Sequence, residues 1–198
     1  EDWGWRDARG YKYWYAGSWT LEDLGVLNQT ATYAQEVSQQ VENGELTAVD
    51  AFESLVSWRA SLGAEHRFVD DISICLLGDA GFRAIWSAPL HRNRHDPPTF
   101  AAGDSGYREY FQDGSNQARH FWMYVNAAYV TGSRRLVDGG NWFHEDNRLP
   151  ARWFNSGTGT GLDLVLGYRG RELGMLLRAG TVNYSEVGDW VQRNLGPR

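Results

Sequence analysis

Four hydrogen-bonding side chains crowd one short stretch, Asn116-Gln117-Ala118-Arg119-His120, at the head of a long apolar segment. As the first turn of a helix, that stretch would combine free backbone amides with the positive end of the dipole, a setting that favours an anion or a carboxylate. Farther along, Asp163 stands four residues ahead of Gly167, at the head of a glycine-striped segment. If the two segments pack along that stripe, Asp163 comes near Arg119 or His120. A buried His–Asp pair is a general-base arrangement, in which the acid orients the ring and stabilises its charged form. The same residues also fit a buried Arg119–Asp163 ion pair that fixes helix register and does no chemistry, and this is the plainer of the two readings.

A second group lies in Gly103-Asp104-Ser105-Gly106-Tyr107-Arg108-Glu109. Asp104 and Glu109 are the residue types that act as acid and base on either side of a glycosidic bond. Phe100, Tyr107, Tyr110 and Phe111 stand close by and would suit a sugar face. Acids in loops, however, are more often solvated or used to cap a helix. On these grounds His120, Asp163, Asp104 and Glu109 are the catalytic candidates, and Asn116, Gln117, Arg119 and Tyr107 the substrate-binding ones.

Metal chemistry is disfavoured. His91 and His95 are four apart, but Pro97-Pro98 oppose the helix that would bring them together, and the neighbouring arginines repel a cation. His144-Glu145-Asp146 offers a further weak set, and no His-Glu-x-x-His motif occurs. The run Gly157-Thr158-Gly159-Thr160-Gly161 lacks the lysine of a phosphate loop, and Gly-x-Ser-x-Gly is absent. Cys75 sits alone in an apolar run, as a core residue does, so no intrachain disulfide forms. No metal or cofactor is expected.

The elements that must position these residues read as helices. Thr20 with Asp23, and Thr47 with Asp50, fit capping boxes, while Asn43-Gly44 and Gly63 supply helix ends. These signals predict helices at 21–28, 31–43 and 48–62, a fourth apolar segment at 65–77 and a short helix at 81–87. Residues 116–131 are apolar on nearly every side, which marks a buried central helix. A helix over 162–178 carries Gly167, Gly170 and Gly174 on one stripe, and a last one covers 184–195. Two long irregular regions, 88–115 and 132–161, separate them. The first 19 residues hold seven tryptophans and tyrosines and read as an arm packed over the helical body. The expectation is one all-α domain over 1–198, with an arm at 1–19, a body at 20–198 and about six or seven helices around 116–131. Short strand pairs in the arm or loops are compatible with it.

Composition narrows the function classes. A net charge of -6 disfavours general nucleic-acid binding, and no apolar run reaches the length that spans a bilayer. Arginine outnumbers lysine 18 to one, which fits a GC-rich genome and also a host-directed toxin that avoids ubiquitination. The chain begins at Glu1, which fits a removed leader or a trimmed start, so location stays open. Two main readings follow: a small cofactor-free hydrolase of a glycan or cell-wall polymer, or a non-catalytic binding or structural domain of a larger assembly. The partner is correspondingly a glycan or another protein.

Overall fold

Thr20 opens the helical body. In the computed structural model, which describes residues 4–6, 12–14, 19–78, 100, 105–112, 117–145 and 161–197, the Asp23 amide donates to the Thr20 hydroxyl at 3.1 Å. The Thr20 amide donates in return to Asp23 Oδ2 at 2.9 Å, closing a capping box that satisfies two otherwise free amides. Helix α1 then runs unbroken over Leu21–Glu42, where the sequence pattern predicted two helices. The polar run Asn28–Thr30 does not interrupt it. The Thr30 and Thr32 hydroxyls turn back onto the carbonyls of Val26 and Asn28 at 2.8 and 2.9 Å, so their polar groups are met inside the helix.

Six more helices follow among the described residues: α2 (Ala48–Ser61), α3 (Phe68–Leu77), α4 (Gln117–Thr131), α5 (Arg134–Glu145), α6 (Gly161–Arg178) and α7 (Val187–Leu195). Single 3-10 turns precede α3 and α7 and occupy Glu109–Phe111. Among the described residues the body is helical, as expected, with seven α-helices. In the N-terminal arm, strands β1 (Gly4–Arg6) and β2 (Lys12–Trp14) pair antiparallel with Trp5 opposite Tyr13. The predicted helix at 81–87 and most of the 88–115 loop lie outside the described residues.

The region 132–161, read as irregular, begins with α5. Gly139 and Gly140 weaken its helical propensity, and tertiary contacts compensate. Val137 enters an apolar cluster with Tyr124, Ala127 and Ala128, and Asn141 Nδ2 donates to the Leu164 carbonyl at 3.0 Å.

Trp122 shows how the core is built. Its side chain is fully buried, Phe52 of α2 and Phe68 of α3 meet it edge-on, and its indole N–H donates to Ser73 Oγ at 3.1 Å. Three helices thus converge on one ring, whose polar atom is satisfied inside the core.

The most extensive helix contact joins α4 and α6. A Cβ added at Gly170 would collide with the Phe121 carbonyl oxygen and come within 3.0 Å of Tyr124 Cβ. One turn on, a Cβ at Gly174 would collide with the Val125 carbonyl oxygen and lie 2.8 Å from Ala128 Cβ. Residue numbers rise together along both helices, so they run parallel, with backbones closer than any side chain would permit. Gly167 belongs to a different contact: its missing Cβ makes room for Asn141 of α5. Two glycines of the stripe seat α4, and the third seats α5.

Candidate functional site

The head of α4 carries three of the candidate side chains. Gln117 is 3 % exposed, His120 is 9 % exposed, and Arg119 is half-buried. The His120 ring lies edge-on to Tyr124 with centroids 5.1 Å apart. Gln117, Arg119 and His120 all engage in further contacts. His120 and Tyr124 are one helical turn apart, and Tyr124 also abuts Gly170, so the histidine flanks the α4–α6 seam. Because those helices run parallel, their N-terminal ends lie toward the same end of the pair. Asn116 and the side chain of Asp163 lie outside the described residues.

The acid-rich segment divides in two. Asp104 lies outside the described residues, whereas Glu109 is exposed at the start of its 3-10 turn. Tyr107 is buried, 2 % exposed, with no hydrogen-bond partner for its hydroxyl, and burial drives its ionisation well above the usual tyrosine range. Arg108 anchors the segment to the end of α7. Its amide donates to the Leu195 carbonyl at 3.0 Å, its Nε donates to the Gly196 carbonyl at 2.8 Å, and a third bond reaches the Arg193 carbonyl. A cation on the last carbonyls of a helix complements the negative end of the dipole. The same guanidinium donates to Tyr110 Oη at 3.0 Å, so Glu109 and Tyr110 sit on a fixed support.

Two ionic groups escaped the sequence reading. Arg59 and Asp71 form an ion pair at 2.5 Å with both side chains fully buried. Arg59 also donates to the carbonyls of Gly63 and Ala64 at 2.6 and 2.8 Å, closing the C-terminal end of α2 onto α3. Burial pushes the Asp71 carboxyl up to about 7, against the pull of Arg59, and its Oδ1 has no hydrogen-bond partner. The signal was in the spacing. Arg59 continues the apolar stripe Phe52, Leu55, Val56, and Asp71 lies three residues from Phe68 beside Ile72, so each charge occupies a core-facing position of its helix.

The second group surrounds Asp23, whose side chain is 4 % exposed. His66 Nε2 lies 3.3 Å from Asp23 Oδ1, and Arg67 Nε lies 3.7 Å from Oδ2, with its guanidinium over the Trp19 ring. Burial raises the Asp23 carboxyl, but the Thr20 hydrogen bonds and the charges of Arg67 and His66 outweigh it and hold it below the usual 3.8. This cluster ties the start of α1 to the turn before α3.

Among the described residues, no group of three or more His, Cys, Asp or Glu side chains is placed to hold a metal ion. His91 and His95, and the side chains of His144, Glu145 and Asp146, lie outside them, as does the run 157–160. No described helix is long and apolar enough to cross a membrane. Comparison with protein-family models, curated proteins and solved structures finds no match to this chain.

Proposed function

We propose that this chain is a non-catalytic helical binding domain that serves as a module of a larger assembly. The observation that carries this reading is the burial of His120 and Gln117 at the head of α4. A general base must reach the proton it removes, directly or through one water, and a histidine packed edge-on to Tyr124 serves the core instead. The inward Tyr107 and the use of Arg108 as an α7 cap support the same reading, since the group most suggestive of a sugar site contributes to packing. In this account α4 is the axis of one domain over 1–198, and the aromatic arm covers the helical body.

A second reading keeps a specific observation: Glu109 is exposed beside Tyr110, itself 43 % exposed, so an acid and a ring face solvent together. That pairing suits a glycan hydrolase. Incubation with a panel of cell-wall polymers and β-glucans, read as new reducing ends, separates the two. The binding reading expects no release above the blank. Release that disappears in a folded Glu109→Gln variant would replace it with the hydrolase.

A further inference from the structure

Arg134 and Arg135 occupy the first turn of α5, exposed, and no hydrogen bond or ion pair joins either of them to another described residue. Every other arginine with a described side chain is engaged by a carboxylate, a backbone carbonyl or another contact. The two free ones stand where a helix least favours them, since its N-terminal end is positive and prefers acids. Asp138, three and four residues on, has the spacing to neutralise them, yet it is turned to Arg171 of α6. The C-terminal carbonyls of α4 offer no relief either, because Arg178 donates to Tyr129 and Val130 there. Beside the two guanidiniums Leu136 is 67 % exposed. A locally unfavourable charge pair left next to an exposed leucine marks a surface kept for something outside the domain.

We propose that Arg134, Arg135 and Leu136 form a docking surface for an acidic segment of a partner protein. Two carboxylates on the partner meet the guanidiniums, and an apolar side chain between them covers Leu136. This rests on the binding-domain reading and names the class of partner. Guanidiniums match carboxylates through paired, directional hydrogen bonds, and arginine is enriched among the residues that dominate protein interfaces. On a chain of net charge -6, two adjacent exposed guanidiniums lower the repulsion that an acidic segment meets there. Two arginines fall short of the roughly four to eight basic residues that hold an anionic lipid surface.

The test is an amide NMR titration of the whole chain with two synthetic peptides, one alternating Glu and Leu, the other alternating Glu and Ser. Shifts should centre on residues 134–138, weaken as salt rises, and show the Leu peptide binding about fivefold tighter. The Arg134→Glu/Arg135→Glu variant should lose about tenfold in affinity while its Tm rises by a few degrees, because the helix start gains the acids it prefers. A fall in Tm would overturn the proposal by showing that the arginines support the fold. Equal binding of the two peptides, or preference for phosphatidylserine vesicles, would overturn it as well. Shifts centred on another face would remove this surface and leave the binding reading standing. Release of reducing ends in the polymer assay would remove both.

Discussion

At the scale of single residues, the described charges mostly hold the fold. Asp23 receives the Thr20 amide, and its depressed carboxyl makes that contribution dependent on pH. A folded-state value below the unfolded one means that the stabilisation is present above about pH 4 and is lost as pH falls through the folded value. Asp23→Asn should therefore lower stability by about 1 kcal/mol near pH 6, the usual worth of a cap with its charge. Thermal melts of both proteins should converge as pH falls from about 4 through the depressed folded-state value. A gap that stays constant over that range would show that the carboxylate charge contributes nothing. His120 and Tyr107 belong to the same scale. Residue type marks both as candidates, and the structure finds both side chains buried, which type alone does not encode.

At the scale of elements, the glycine spacing of α6 was legible in the sequence because a helix repeats every 3.6 residues and three interior glycines need a reason. Gly170 and Gly174 have that reason in the backbone carbonyls of Phe121 and Val125. Gly170→Ala should cost about 1–3 kcal/mol, since the obstacle is backbone and cannot swing aside. Gly139 of α5 has nothing within 4 Å of an added Cβ, so Gly139→Ala should be neutral or stabilise by up to about 1 kcal/mol. Chemical denaturation of the two variants checks both signs. Equal small effects would dispose of the close α4–α6 approach. What the sequence hid at this scale was α5 and the continuity of α1. Local propensity around Gly139-Gly140 and Asn28–Thr30 argues for breaks, and the contacts that override it come from residues distant in the chain or from hydroxyls folded back on the helix.

At the scale of the whole molecule, the seven helices of the described residues enclose a core to which α2, α3 and α4 bring Phe52, Phe68 and Trp122, with the α4–α6 seam running alongside. The helical class was readable from caps and periodicity, because those signals are local. Whether Asp163 meets Arg119 or His120 was not readable, because that depends on how two distant helices meet, and the Asp163 side chain lies outside the described residues. Gln117 and His120 at the head of α4 lie in the interior, and the proposed docking surface is built from the solvent-facing Arg134, Arg135 and Leu136. Diethylpyrocarbonate modification followed by peptide mass mapping tests that assignment directly, with His66, whose side chain is 65 % exposed, as the internal standard. His66 should be modified rapidly, and His120 should stay protected until the protein unfolds. Modification of both at similar rates in the native state would contradict it, and would return His120 to the list of residues able to do chemistry.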